Sequence, residues 1–282
     1  MTTVALKTVG IVLHQEKPEA RRRLDELRRL LSQHGVTALV ESATTPVAQL
    51  GRQADMLMVL GGDGTILRAA RELGTATTPI LGINLGALGF LTSIRCEDMP
   101  AALPAILRGE FVLSERRTLQ VQVSRAGQAL ESHRALNDAV VSRGAVSRIV
   151  RLKLSIDGEW LTEYVCDGMI FATATGSTAY SLSAGGPILM PTASAFVITP
   201  ICPHALSSRS MIAGSNSAAR CQVVSAAGEL LLTVDGQVSM RLHPGDEVEV
   251  RQAGQVVRLV TPRGHSYFEV LRQKLKWSGS NV

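Results

Sequence analysis

Three glycines surround one aspartate in Gly61-Gly62-Asp63-Gly64-Thr65, and this stretch has the residue types for phosphate chemistry. Glycines let a ligand approach the backbone closely, and N–H groups at the start of a helix favour phosphate. A carboxylate repels phosphate, so Asp63 should either handle a metal ion or take a proton from a hydroxyl group beside the phosphates. The simpler alternative is an ordinary strand–helix turn with a capping aspartate.

The spacing of these glycines excludes two common phosphate-binding loops. No Gly-Lys-Ser or Gly-Lys-Thr follows, as a Walker loop requires. The dinucleotide pattern Gly-x-Gly-x-x-Gly is absent too, because an aspartate replaces one spacer and the spacing differs.

Two further polar clusters lie later in the chain. Asn137 and Asp138 precede an apolar run, where an amide and a carboxylate can read a base edge and a ribose hydroxyl together; a plain Asn-Asp turn is the favoured alternative. The second cluster begins at Asp167 and continues through an apolar strand to the hydroxyl-rich segment 175–187. Small hydroxyl residues and N–H groups at a helix start can bind phosphate or ribose, so this segment favours a binding role over a Ser/Thr-rich loop.

The elements around Asp63 must place it at the edge of a sheet. The apolar run Leu57–Leu60 predicts a buried parallel strand, and Thr65–Gly74 has helical spacing with a glycine stop. Pro18 begins another helix, which extends to His34. The alternation of strands and helices over residues 1–110 predicts a doubly wound α/β sheet, in which ligands bind at the carboxyl ends of the strands.

After this region the sequence changes to short segments of alternating apolar and polar residues, typical of strands, with hairpin turns at Asp157-Gly158 and Asp235-Gly236. This pattern predicts an antiparallel, sandwich-like, all-β domain over residues 114–262. The first domain is predicted to comprise residues 1–113. The terminal segment 263–282 is predicted to contain a final helix from Tyr267 to Trp277.

Composition narrows the class of protein. The chain has 282 residues, 45% of them hydrophobic, so it can form one large or two moderate domains. The net charge of +5 suits an anionic small molecule, and no block of Lys or Arg with interleaved aromatics indicates nucleic acid. The four cysteines show no metal-binding spacing, which predicts reduced thiols and a cytoplasmic protein; we expect no secretion signal and no membrane span.

With the three polar segments together, the sequence resembles the NAD kinase family. Gly61–Thr65 is similar to the family's first motif, which phosphofructokinases and lipid kinases share. Leu136-Asn137-Asp138 is similar to the second motif, and Thr175–Pro187 to the third, which is the most specific. Order and spacing agree over nearly the whole chain.

The resemblance implies a phosphofructokinase-like α/β N-terminal domain, a β-rich C-terminal domain that binds NAD, and a C-terminal segment returning to the first domain. It implies that ATP, or inorganic polyphosphate, phosphorylates the adenosine-ribose 2′-hydroxyl of NAD to give NADP. A divalent cation, usually Mg²⁺, and assembly into homodimers or homotetramers are also implied. No residue is assigned as a metal ligand.

Residue by residue, the resemblance makes Asp63 the proton acceptor. The residues expected to contact NAD are Asp63, Gly64, Asn137, Asp138, Arg148, Val165, Asp167, Thr175, Thr178, Ala179, Tyr180, Ser181, Leu182, Ser183 and Gln237. The residues expected to line the phosphates are Gly61, Gly62, Gly64, Thr65 and Arg68.

Two departures from the family pattern bear on function. Ala174 stands where proline is common, which loosens that turn. Val165 stands where many relatives carry arginine, so the preference between NAD and NADH is open. The rival functions are a lipid or sugar kinase of the same superfamily, which would not need the segment 175–183, and a dinucleotide-sensing module without catalysis, which would not need Asp63.

Overall fold

The computed structural model describes residues 5–14, 18–144 and 149–277. The chain divides into two compact units, one comprising the residues up to Glu115 and from Val257 onward, the other Arg116–Val256. Both boundaries fall inside long strands, so the chain passes between the units in extended conformation.

The helices and strands are, in chain order, β1 Thr8–Leu13, α1 Pro18–Gln33, β2 Thr37–Val40, α2 Val47–Gln53, β3 Met56–Leu60, α3 Asp63–Glu72, β4 Ile80–Asn84, β5 Ile94–Arg95, α4 Met99–Leu107, β6 Phe111–Arg125, β7 Gln128–Ala135, β8 Asp138–Arg143, β9 Val150–Ile156, β10 Glu159–Cys166, β11 Gly168–Thr173, α5 Tyr180–Ser183, β12 Ala195–Ile201, β13 Met211–Gly214, β14 Ala218–Ala226, β15 Leu230–Val234, β16 Val238–Leu242, β17 Asp246–Pro262 and α6 Tyr267–Leu275. Short 3₁₀ helices occupy Cys96–Asp98 and Gly176–Thr178.

The first unit is built on a parallel sheet in the order β4-β3-β1-β2. Every residue of β3 and β4 is buried, which explains why these strands are continuous apolar runs rather than alternating ones. Helix α1 packs Leu27 and Leu31 into the same core, and Gly35 ends it with φ of 69°.

The second unit is a sandwich of antiparallel strands. One sheet has the order β13-β12-β11-β8-β15-β16, and the other contains β10-β9-β14-β17 and the β6–β7 hairpin. Inward-facing residues such as Leu152, Phe171 and Val223 form one core between them. Ile170 and Val197 form a smaller cluster, so β11 is buried on both faces.

The predicted fold class, an α/β domain followed by an antiparallel β domain, is confirmed. Two elements differ from expectation. Helix α2 was not predicted, and β17 is a single strand of 17 residues that continues to Pro262, far longer than the short strands predicted for this region. The alternation of buried positions in β17 breaks over residues 251–256, and this break hides its second half from a periodicity argument.

In the described part of the chain, no helix is long and apolar enough to cross a membrane.

Candidate functional site

Asp63 lies where an open α/β sheet is expected to bind ligands. It is the first residue of α3, directly after Gly61 and Gly62 at the carboxyl end of β3. The chain leaves β1 for β2 on one side and comes back to β3 on the other, so the ends of β1 and β3 form the topological switch point of the sheet.

The Asp63 carboxylate is held by a second glycine-rich turn. Its Oδ2 accepts a hydrogen bond of 2.8 Å from the Phe90 N–H, and its Oδ1 accepts one of 3.1 Å from the Leu91 N–H. Gly89 precedes these donors, and a Cβ there would overlap the carboxylate. We call this arrangement, Asp63 with residues 89–91, the carboxylate clamp.

The glycines beside Asp63 divide into two kinds. Gly61 is needed for internal packing, because a Cβ there would overlap the buried side chain of Thr65. Gly62 and Gly64 face open space, with no atom close to where a Cβ would lie. A ligand can therefore approach the backbone at these two positions, where the N–H groups at the start of α3 favour negative charge.

Arg68, a predicted phosphate contact, is engaged with other protein groups. Its guanidinium hydrogen-bonds both oxygens of Glu41, at 2.5 and 2.9 Å, as well as Glu72 at 3.0 Å and the Leu13 carbonyl at 2.9 Å. The hydrogen bond to Glu41 raises the pKa of Arg68. These contacts favour a structural role in which Arg68 links β1, β2 and α3.

In the second unit, the backbone of residues 136–138 is fixed from two sides. The hydroxyl of Thr173 donates to the Leu136 carbonyl at 2.6 Å, and the Thr173 N–H donates to the Asn137 carbonyl at 2.8 Å. On the other side, the Asp235 carboxylate accepts the N–H groups of residues 136, 137 and 138. Gly176 packs so closely on Asn137 that a Cβ would overlap its carbonyl.

Asp138 is a buried carboxyl group whose pKa is strongly raised. Only 6% of the residue is exposed. Burial, and then the negative charge of Asp235, raise the pKa of Asp138 to about 7. A buried acid that titrates near neutrality in a cluster of polar groups is characteristic of a functional site.

The hydroxyl-rich segment contains both accessible and enclosed side chains. Thr175 is only 6% exposed, and its hydroxyl oxygen has no hydrogen-bond partner among the described residues. Tyr180 and Ser183 are exposed, whereas Ser181 is completely buried and bonded to Thr199 at 3.0 Å. The hydroxyl of Ser181 therefore supports the fold, and a contact of Ser181 with NAD stays a prediction.

The remaining members of this segment lie around the short helix. Thr178 donates its hydroxyl proton to the Thr175 carbonyl at 3.2 Å. Ala179 precedes α5 with unusual φ and ψ of −100° and −128°, and Leu182 is half-buried. The structure thus groups Thr175 and Thr178 with Asn137 through the 3₁₀ helix that starts at Gly176.

Asp167 is paired with a cation from a neighbouring strand. Arg143 donates to its two oxygens at 2.7 and 3.1 Å, and this hydrogen bonding lowers the pKa of Asp167. Val165, two residues earlier, lies on β10, and its carbonyl accepts the N–H of His204 at 2.9 Å. The cation beside Asp167 therefore comes from β8, where the sequence offered no reason to expect it.

Two predicted contacts complete the set. Gln237 is exposed, directly after the Asp235-Gly236 turn, and its N–H donates to the Val234 carbonyl at 3.0 Å. Arg148 lies outside the described residues.

A metal site built from protein side chains alone is not found in the described ranges, 5–14, 18–144 and 149–277: no three His, Cys, Asp or Glu residues there could hold an ion together. The four cysteines are free thiols.

The most important residues that sequence reasoning overlooked are Asp235 and the donors of the carboxylate clamp. Asp235 has the signature of a hairpin turn, and that role alone accounts for its type. Gly89 belongs to a visible glycine-rich turn, but nothing in the sequence shows that Phe90 and Leu91 face Asp63, which lies 27 and 28 positions away.

Two family models match the chain. Residues 46–111 match the ATP-NAD kinase N-terminal domain, and residues 136–261 match the ATP-NAD kinase C-terminal domain. Together they cover the turn that carries Asp63 and the turn at residues 136–138.

Curated relatives and solved structures agree with this match. The chain is 44% identical to the NAD kinase of Geobacter sulfurreducens and 41% identical to that of Citrifermentans bemidjiense, covering 96% of this chain and 99% of each relative. A yeast NADH kinase complexed with NADH matches 99% of this chain and 89% of its own, with a TM-score of 0.89 and 27% identity. An NAD kinase from Archaeoglobus fulgidus in complex with ATP matches 96% of this chain and 100% of its own, with a TM-score of 0.77 and 25% identity.

Proposed function

Because the chain belongs to the NAD kinase family, we propose that Asp63 is the base in a phosphoryl transfer from ATP to NAD. The chain is an enzyme that converts NAD to NADP, and the acceptor atom in this reaction is the 2′-hydroxyl of the adenosine ribose. The observation that carries the assignment is the carboxylate clamp, which fixes an acid at the switch point of the sheet beside glycines open to phosphate.

The geometry suits proton transfer from a sugar hydroxyl. Each oxygen of Asp63 accepts one backbone N–H, and a carboxylate oxygen has capacity for a second hydrogen bond. A hydroxyl is a weak nucleophile at neutral pH, so a positioned base that accepts its proton as the new P–O bond forms lowers the barrier. Asp63 receives that proton, and the leaving diphosphate keeps the electron pair of the broken bond.

We assign the donor phosphates to the start of α3. A Cβ built at Gly62 or Gly64 would meet no neighbouring atom, and a ten-residue helix begins at Asp63 with the N–H groups of its first turn directed along the axis toward its N-terminus. Phosphoryl transfer depends mainly on positioning and charge neutralisation. A divalent cation, Mg²⁺ in our proposal, would supply the latter, and with no cluster of three ligating side chains in the described residues it would depend mainly on oxygens of the phosphates and water.

We assign the NAD molecule to the second unit. Asn137 and Asp138 hold the adenosine half, since their backbone is fixed while their side chains are the polar groups of the turn. The buried Thr175 hydroxyl, which lacks a partner among the described residues, has a hydrogen bond to give to the bound dinucleotide. The exposed Tyr180 offers a ring face for stacking. Asp167, with Arg143, lies toward the other half of NAD in this assignment.

The cellular setting is part of the proposal. Four free thiols fit a reducing compartment, so we place the enzyme in the cytoplasm. We further propose that it works as a homodimer or homotetramer, with no nucleic acid or membrane partner.

The test is an end-point assay of the purified chain, with ATP or polyphosphate as the donor and NAD or NADH as the acceptor. We expect NADP from ATP and NAD when Mg²⁺ is present. Diacylglycerol and fructose 6-phosphate serve as control acceptors, because phosphorylation of either one instead of NAD would identify a lipid or sugar kinase. Binding of NAD by calorimetry without any product would identify a sensor module.

A further inference from the structure

Asp235 makes an unusual set of contacts for a turn residue. Its Oδ1 accepts the N–H groups of Asn137 and Asp138 at 2.7 and 3.0 Å, and its Oδ2 accepts that of Leu136 at 2.8 Å. Its own N–H donates to the Asp138 carbonyl at 2.9 Å. The residue is 8% exposed, so these bonds are formed almost out of contact with water.

The local conformation does not by itself require an acid here. Asp235 and Gly236 have φ of 50° and 65°, the left-handed pair of a two-residue hairpin turn. Asparagine, aspartate and glycine all suit the first position of such a turn. Three backbone N–H groups pointing at one side chain, however, call for an acceptor with two oxygens, which only a carboxylate supplies in this space.

The chain contains a matched turn that lacks this role. Asp157 and Gly158 have φ of 53° and 85°, so their backbone resembles that of the Asp235 turn. Asp157 is exposed, and its carboxylate accepts a single N–H, that of Ala218, at 2.8 Å. The same turn geometry is thus found with and without the three-fold capture of a neighbouring backbone.

Asp235 binds the backbone of residues 136–138, the turn that carries the Asn137 and Asp138 side chains. Thr173 fixes the carbonyl groups of Leu136 and Asn137, and Asp235 fixes the N–H groups of the same residues and of Asp138. With both sides of the peptide planes bonded, the directions of the Cα–Cβ bonds of Asn137 and Asp138 are fixed. A displacement of even about 1 Å in such a group is costly for binding and catalysis.

We propose that Asp235 is a positioning residue for NAD, which fixes the backbone of Asn137 and Asp138 so that their side chains meet the adenosine half of the substrate. The inference rests on the proposed function, because it takes those two side chains to contact NAD. Asp235 itself touches no substrate in this account. It acts through the turn that it binds.

A second consequence distinguishes this role from simple structural support. The charge of Asp235 adds to burial in raising the pKa of Asp138 to about 7. Arg134 is a further charged group that interacts with Asp235, and burial lowers the pKa of Arg134. Removing the charge at position 235 without removing the oxygen should therefore move the titration of Asp138 toward acid pH, and with it the pH dependence of NAD binding.

The experiment compares Asp235→Ala, Asp235→Asn, Asp157→Ala and the unchanged full-length enzyme. KM for NAD, KM for ATP and kcat are measured from pH 6 to 8.5, with thermal unfolding to verify folding. We expect Asp235→Ala to raise KM for NAD by about 30-fold. Asp235→Asn, which keeps one oxygen, should raise it by about 5-fold. KM for ATP should stay within about two-fold, and Asp157→Ala should match the unchanged enzyme.

Several results would overturn the proposal. One is a folded Asp235→Ala enzyme whose KM for NAD is normal, and another is an equal rise in KM for NAD and ATP. If Asp235→Ala does not fold, an unaltered pH profile of KM in Asp235→Asn counts against it. If the unchanged enzyme makes no NADP, the proposed function has failed instead, and calorimetric titration of the same variants with NAD still reads the effect of Asp235 on binding.

Discussion

Two polar turns of this molecule, residues 61–65 and 136–138, use hydrogen bonds from backbone N–H groups in opposite ways. In the first unit, the acid that we propose as the base is itself the acceptor, because the N–H groups of Phe90 and Leu91 hold the carboxylate of Asp63. In the second unit, a remote acid is the acceptor: Asp235 holds the backbone of residues 136–138 and leaves the Asp138 side chain without a clamp.

This difference matches the demands of the two roles. A base must meet one proton at one angle, so restraining its carboxylate directly improves the reaction. In our proposal the side chains of Asn137 and Asp138 must turn their polar atoms to the dinucleotide, so the restraint is applied to the backbone that carries them. Mutations in the Asp63 turn should therefore lower kcat, whereas mutations in residues 136–138 should raise KM for NAD.

The largest effect is expected for Asp63→Asn. The amide cannot accept the hydroxyl proton, so kcat should fall by roughly 10²-fold or more, in the range for a lost general base. KM for NAD should change little, because other residues hold the adenosine half. Steady-state kinetics of the purified variant decides the matter, and near-normal turnover by a folded Asp63→Asn enzyme would remove the base role.

The next effect concerns the second turn and is one of stability. Burial and Asp235 raise the pKa of Asp138 from 3.8 to about 7. Since the folded protein holds this proton more tightly than the unfolded chain, the contribution is complete below about pH 4 and is lost as pH rises through about 7. At pH 8, Asp138→Asn should therefore raise the free energy of unfolding by about 2–4 kcal/mol.

The pH dependence provides the control for that prediction. At pH 4 to 5 the Asp138 carboxyl is protonated in the folded protein, so the difference between Asp138→Asn and the unchanged protein should shrink steadily toward acid pH. Urea unfolding at four values from pH 5 to 8 measures it. A difference that does not vary with pH would show that Asp138 is not coupled to burial and Asp235 as described.

A smaller loss is expected when the carboxylate clamp is disturbed without touching the acid. In Gly89→Ala, the new methyl group overlaps the Asp63 carboxylate and must displace it. We expect kcat to fall about 30-fold, with KM for NAD nearly unchanged. Gly214→Ala is the matched control, because a Cβ at position 214 meets no neighbouring atom. If both variants keep full turnover, the clamp does not orient the base.

The clamp and the Asp235 contacts show where sequence reasoning ends. The α/β and β units follow from periodicity, because buried parallel strands are continuous apolar runs and hairpins carry Asp-Gly turns. Asp63 is visible because a carboxylate among glycines that suit phosphate calls for a reason, and Asn137-Asp138 because an amide and a carboxylate stand side by side. What holds them is not visible: the Asp235 oxygens meet N–H groups 97 to 99 positions away, and any residue type can donate a backbone N–H. Arg68 shows a second limit of this kind, since the sequence places a cation near a phosphate motif but does not reveal its hydrogen bonds to Glu41 and Glu72.

The smallest effect is expected for Asp138→Ala, on affinity rather than rate. Loss of a ribose contact should raise KM for NAD by about 10-fold at pH 8, with kcat within about two-fold. An ionised carboxylate accepts hydrogen bonds from ribose hydroxyls better than a protonated one. Because the pKa of Asp138 in the free enzyme is about 7, KM for NAD in the unchanged enzyme should fall as pH rises from 6 to 8, and in Asp138→Ala this slope should vanish. If the slope persists in the variant, another group controls the pH dependence. The proposal that Asp138 binds NAD, with its backbone fixed by Asp235, would then be wrong.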